Sequence, residues 1–314
     1  MTVPFVLLIL GALAAAMAPR LFARADWPER EPVLALWVWQ CVVAAVLLCC
    51  VSAMALLASA AWWQVRGHVF AFAPRGAADA YGLSAHGRWA GALAILLALG
   101  GLWTAAMLTR EVRAARARRR QRRAELRARA PRLPGEWAEP APGERLVVLE
   151  DPRSDAWWLS GADQRLVITT AALDRLRGRQ LDAVLEHEQG HVRARHDVLL
   201  HCAGALAGAF PQVPVFAAFR DQVHHLVELA ADDTASRRVG RLNTALALVQ
   251  LNEERGVFGP GAATGAVLPG RVHRLLDPAP RLPLARRVQI TAYALLIPAV
   301  PLLIAFGPGI SALT

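Results

Sequence analysis

Residues 89–108 read WAGALAILLALGGLWTAAML, and residues 110–132 read REVRAARARRRQRRAELRARAPR. The first stretch carries no charge over 20 residues, enough for one helical crossing of a bilayer core about 30 Å thick. The second holds 11 arginines against Glu111 and Glu125, a local charge of +9. An apolar run that stops at an arginine block reads as a membrane span followed by a basic, cytoplasmic juxtamembrane helix. Anionic headgroups attract the guanidinium groups, and positive residues set the orientation.

The rest of the 314-residue chain agrees with that reading. Apolar residues make up 55% and charged residues 19%, a membrane composition rather than a soluble or disordered one. All 35 of the Lys and Arg positions are arginine, and nearly all of the net +10 sits in the one block. No aromatic residue interleaves that block and no reading helix follows it, so direct nucleic-acid binding is not expected. Cys41, Cys49, Cys50 and Cys202 lie in apolar sequence without CxxC spacing and read as small buried hydrophobes.

Three more apolar runs complete the membrane part. Residues 3–21 are adequate for a span and lack the charged start of a cleavable signal peptide. Residues 33–63 suit one tilted helix with Trp37, Trp39, Trp62 and Trp63 toward the interfaces. The last run, Ile290 to Phe306, contains Pro298 and Pro301, which a membrane helix tolerates. With the arginine block inside, alternation places residues 109–287 in the cytoplasm and both termini outside. A further stretch, Val198 to Phe219, is divided by Pro211, Gln212 and Pro214 into pieces too short to span. It reads as a buried or membrane-apposed helix followed by a turn, with a re-entrant hairpin as the alternative. The expected divisions are 1–108 (three spans), 109–132 (basic helix), 133–287 (polar domain, entered through Pro131, Pro134, Pro140 and Pro142) and 288–314 (last span and short tail).

Within the polar domain, Arg145 to Glu150, Arg165 to Thr169 and, between them, Asp155 to Ser160 favour short strands. Helical spacing follows over Ala171 to Leu176, Gln180 to Arg195 and Gln222 to Arg237. The second of these holds His187-Glu188-Gln189-Gly190-His191. Two histidines four apart on a helix point to one side and can both ligate a single zinc ion. Glu188 beside them can take the proton of a water attacking an amide carbonyl. The strongest candidate for a third protein ligand is Glu228, on a second helix 37 residues beyond His191. Asp232, one turn later, can accept a hydrogen bond from the outer nitrogen of a ligand histidine. His224 and His225, one turn before Glu228, can stabilise an oxyanion, and Asp197 can anchor the motif helix. Gly190 costs about 1 kcal/mol of helix stability relative to alanine, which a close helix crossing would explain.

These residues resemble the membrane-embedded zinc metallopeptidases of the beta-lactam-sensor type (peptidase family M56), with more distant similarity to the HtpX and Ste24 proteases of family M48. The resemblance rests on Arg165 to Thr169, Leu176, Leu181 to Asp197 and Glu228 to Asp232, and on three spans before the polar domain and one after. It implies a multi-pass α-helical membrane protein with an inserted α+β zincin-like (gluzincin) domain and one Zn2+. The implied roles are His187, His191 and Glu228 as ligands, Glu188 as base and Asp232 as support. Thr314 comes eight residues after Phe306, so the external penicillin-binding domain of the sensor members is not expected. The expected activity is zinc-dependent endopeptidase cleavage of a protein or peptide in regulated signalling, a cytoplasmic transcriptional repressor being one implied substrate. A quality-control protease of membrane proteins and a non-enzymatic zinc-bound scaffold are the alternatives.

Overall fold

The computed structural model describes residues 2–71, 81, 88–129, 146–152, 156–159, 165–252 and 262–311. The proline-rich link over 131–142 and most of the 64–88 loop lie outside them. The chain is a mostly α-helical, multi-span membrane protein. Its elements in order are α1 (Thr2–Ala23), α2 (Trp27–Arg30), α3 (Pro32–Ala61), α4 (Trp63–Val69), α5 (Arg88–Arg129), β1 (Leu146–Leu149), β2 (Ala156–Leu159), β3 (Arg165–Thr169), α6 (Thr170–Arg175), α7 (Arg179–Arg193), α8 (His196–Ala209), α9 (Pro214–Val239), α10 (Arg241–Asn252), α11 (Ala262–Leu276) and α12 (Leu284–Ser311). Four of these helices are long and apolar enough to cross a membrane: α1, α3, the Gly91–Ala114 part of α5, and α12. Span and arginine block thus form one helix of 42 residues. Neither carries an interior proline, and Ala, Leu and Arg are all strong helix formers.

Two compact units are formed. One comprises Met1–Arg110, Cys202–Val223 and Arg281–Thr314, the other Glu111–His201 and His224–Pro280. In the first, α3 is the most buried of the spanning helices. Gly11 of α1 faces Cys49 of α3 so closely that a Cβ there would stand 3.1 Å from the cysteine Cβ. Small residues let apolar helices approach where no hydrophobic driving force separates them from lipid. Trp39 does not take the interfacial position expected of it. Its side chain is fully buried, stacked on Phe22 at 4.4 Å between ring centroids and 6.1 Å from Phe219.

The 198–219 stretch divides where the prolines predict, α8 ending at Ala209 and α9 starting at Pro214. Its later part belongs to the membrane unit, where the Trp103 indole N–H donates to the Ala209 carbonyl at 3.1 Å and Gly208 sits against Met107.

The second unit meets the α+β expectation only in part. Its sheet is small, three strands of four or five residues in the order β1-β3-β2, surrounded by a larger helical part. β1 pairs parallel to β3 and β2 antiparallel, with Val147 and Trp157 both opposite Val167. Arg165 to Thr169 is therefore the central strand, with Leu146–Leu149 and Ala156–Leu159 at the two edges. Ile168 buries its side chain with Ala172, Leu176, Ala183, Val184, Val239 and Ala247, joining β3, α6, α7, α9 and α10 into one core. Thr169 caps α6 by accepting from the Ala172 amide at 3.3 Å, filling one of the bonds a helix start leaves open.

Candidate metal centre

Helix α7 is amphipathic. Ala183, Val184 and Gly190 are buried, His187, Glu188 and His191 are half-buried, and Asp182 and Arg193 face solvent. Gly190 lies against α9, with Ala231 Cα and Thr234 Cβ each 3.4 Å from where its Cβ would stand. That crossing brings Glu228 and Asp232 of α9 onto the histidine face. Glu186 bonds Arg193 at 3.3 Å and Arg238 at 2.8 Å, the latter a second tie between α7 and α9.

His187, His191 and Glu228 each offer one ligand atom, all within 4.8 Å of one another. Nε2 of His191 is 3.2 Å from Nε2 of His187. Glu228 Oε1 is 3.5 Å from the former and its Oε2 3.6 Å from the latter. Atoms bound at about 2.0–2.1 Å by a tetrahedral zinc stand roughly 3.3–3.4 Å apart; the histidine pair is near that spacing, Glu228 reaches each imidazole with a different oxygen, and the three groups fit the ion in ligand type. Among the described residues this is the one such group. The outer nitrogens have close polar neighbours as well. Nδ1 of His187 is 3.0 Å from Oδ1 of Asp232, and Nδ1 of His191 is 3.0 Å from Nδ1 of His196.

The turn after α7 makes the second contact. Arg195 adopts φ +51°, a left-handed conformation that non-glycine residues occupy at a cost of about 1–2 kcal/mol. It closes the helix, its amide donating to the Val192 carbonyl at 3.1 Å. His196 is folded back under His191 and is 4% exposed. Of the residues around the histidine pair, Arg271 is the one that reading the sequence does not single out. Arg271, on α11, donates to both Glu228 and Asp232. His224 is exposed and His225 half-buried, and neither belongs to the converging group. The charge of Asp197 acts on His196.

The electrostatics follow from this packing. Burial works against a charge on His187, but hydrogen bonding to the Asp232 and Glu228 carboxylates and their negative charges outweigh it and raise its pKa to about 9. Burial and the neighbouring His187 charge push His191 down to about 4. Burial also lowers His196. Burial alone would raise Glu228 and Asp232, yet the bond from His187 and the charge of Arg271 hold both below the usual carboxylate range. The site is thus a pair of anions holding one proton and one guanidinium.

The family model described as Peptidase family M48 matches residues 114–255. That is less than half of the chain, and it contains the motif helix, Glu228 and Asp232. It corrects the first attribution above: the similarity found is to M48, not to the sensor-type family M56. The reason is chemical. A His-Glu-x-x-His helix with a carboxylate on a crossing helix is what one zinc ion demands, so residues chosen for that geometry do not separate families that share it. No curated protein matches the chain and no solved structure does. The M48 match and the His-His-Glu cluster together support a zinc metallopeptidase in general terms.

Proposed function

We propose that this chain is a zinc-dependent membrane endopeptidase that hydrolyses peptide bonds of a cytoplasmic or membrane-proximal protein. The observation that carries the reading is the convergence of His187, His191 and Glu228 at zinc-like spacing beside Glu188, inside the segment similar to M48 peptidases. A zinc ion held there supplies Lewis acidity, activating water and polarising the scissile carbonyl. Glu188 is the general base: its carboxylate takes the proton of the attacking water and delivers it to the departing amine nitrogen. Asp232 fixes the tautomer of His187 through the outer nitrogen. His224, His225 and Asp197 have no part in this mechanism.

Residues 133–287 form the zincin-like peptidase domain in this proposal, facing the cytoplasm because the arginine block beside it is held there. A substrate lies extended along the edge strand β2, where backbone hydrogen bonds supply affinity and side-chain pockets selectivity. Regulated cleavage of few targets is the reading we favour. The expectation of a transcriptional repressor as the target came with the M56 resemblance and has no support from the M48 match. Quality control of membrane proteins is the second reading, and the same zinc-like site serves it equally.

The test compares new peptide N-termini in cells expressing wild-type protein or Glu188→Gln at equal membrane levels, since this change removes the base and spares the ligands. A short list of Glu188-dependent cleavages supports a regulated protease, and a long, loosely specified list supports quality control. An identical set from both proteins under envelope stress, with zinc bound to each, returns the chain to the scaffold reading.

A further inference from the structure

The Arg271 guanidinium touches two carboxylates at once. Its Nε and Nη2 donate to Asp232 Oδ2 and Oδ1, both at 2.7 Å, and its Nη1 donates to Glu228 Oε2 at 2.8 Å. Each carboxylate in turn meets the histidine pair: Asp232 Oδ1 lies 3.0 Å from the outer nitrogen of His187, Glu228 Oε1 lies 3.5 Å from Nε2 of His191, and Glu228 Oε2, the oxygen Arg271 holds, lies 3.6 Å from Nε2 of His187. The Arg271 side chain is 11% exposed and that of Asp232 1% exposed, so these bonds are little screened by solvent. Three donor nitrogens in one rigid plane are peculiar to arginine; a lysine ammonium is a single point of charge and cannot span both partners in this way.

The rest of α11 places the group. Leu275 buries against Ala245 and Leu248 of α10, and Arg274 pairs with Asp233 at 2.8 Å, one position along α9 from Asp232. Arg271 lies beyond residue 255, where the similarity to M48 peptidases stops.

We propose that Arg271 is a positioning residue of the metal centre: by occupying Glu228 Oε2 and both oxygens of Asp232, it presents Glu228 Oε1 to the ion and aims His187 through Asp232. One cation on α11 thereby orients two of the three ligands contributed by α7 and α9. It does not displace the metal from Glu228, because an ionised carboxylate has about four acceptor sites and Arg271 uses one of its two oxygens. The proposal rests on the zinc reading above.

The test is zinc affinity of the full-length protein in detergent, measured by competition with a chromophoric chelator for wild type, Arg271→Lys, Arg271→Met and Arg274→Met. Cobalt(II) absorption gives an independent view of ligand geometry. Loss of the Arg271 fork is expected to weaken zinc about 10–100-fold, the range for outer partners of metal ligands, and to shift the cobalt bands. Arg271→Lys falls between Arg271→Met and wild type. Arg274→Met breaks a like ion pair on the same helix without touching a ligand, and is expected to stay within about threefold of wild type on the same reasoning. Should Arg271→Met fail to fold because buried Asp232 loses its guanidinium partner, Arg271→Gln and Arg271→Lys, which keep a polar group at that place, carry the test. Wild-type affinity in the Arg271 variants that fold, or an equal loss in Arg274→Met, overturns the proposal. A wild-type protein that takes up no zinc overturns the metal reading itself, which separates the two failures.

Discussion

Gly190 of α7 lies so near Ala231 of α9 that a methyl group on it would stand 3.4 Å from the Ala231 Cα. The contact is at the edge of ordinary van der Waals distance. Gly190→Ala therefore gains about 1 kcal/mol of helix propensity against slight crowding, and should leave thermal stability and zinc content close to wild type. Gly190→Leu has no room. It should force the helices apart, destabilise by about 1–3 kcal/mol as overpacking does, and lower zinc occupancy, since His187 and His191 would move away from Glu228. Unfolding in detergent with metal analysis reads both.

The metal-free protein should be most stable near pH 6.5. His191 is depressed to about 4 from 6.5, so between those values the unfolded chain binds the extra proton and stability falls as pH falls. His187 is raised to about 9; its contribution is fully present below 6.5 and is lost as pH rises toward 9. The lowered Glu228 and Asp232 add to the acid-side loss. Melting temperature against pH, with zinc chelated, should trace this maximum, and a curve that climbs steadily from pH 6.5 to 9 would contradict it.

The same proton predicts a linkage. At pH 7.5 His187 is protonated in the metal-free protein, and ligation requires it neutral, so zinc uptake should release about one proton. Calorimetric titration in two buffers of different ionisation enthalpy measures that number directly. His187→Gln should abolish the release along with tight binding.

Arg195 holds its left-handed backbone without the freedom of glycine. Replacing it by glycine relieves a cost of about 1–2 kcal/mol and adds back about 0.5–1 kcal/mol of chain entropy, for a net gain of about 0–1.5 kcal/mol. Because the turn keeps His196 under His191 in either case, zinc affinity should be unchanged. Differential scanning of the two proteins at one zinc concentration checks both halves of this expectation.

If β2 is where substrate lies, substitutions at Ala156 or Trp157 should alter which peptides are cut while zinc content holds. A matched loss of zinc and activity would place the substrate elsewhere.

The four spanning helices and the arginine block could be read from the sequence because they are local: a bilayer requires about 20 apolar residues in a row, and a charge run is visible wherever it occurs. The His187-Glu188-His191 face was legible for the same reason, since helical periodicity alone brings positions i and i+4 together. Glu228 and Asp232 were reachable by analogy of spacing, although only the crossing at Gly190 puts them beside the histidines. Arg271 carried no such signal. It is one of 35 basic side chains, all arginine, and stands 80 residues beyond His191 with nothing periodic to mark it. The place of His196 under His191 was not legible either, because a histidine five positions after His191 faces away on a continuing helix and comes back only through the turn at Arg195. Trp39 was misjudged on the same ground, an amphipathic ring that suits an interface in isolation and a packed interior once Phe22 and Phe219 are folded against it. What the sequence determined by itself are features set by one element at a time. The pairing of β3 on both sides, the tie of α11 to the carboxylates and the neighbour of each histidine's outer nitrogen were decided by tertiary structure, because each depends on which helices and strands meet.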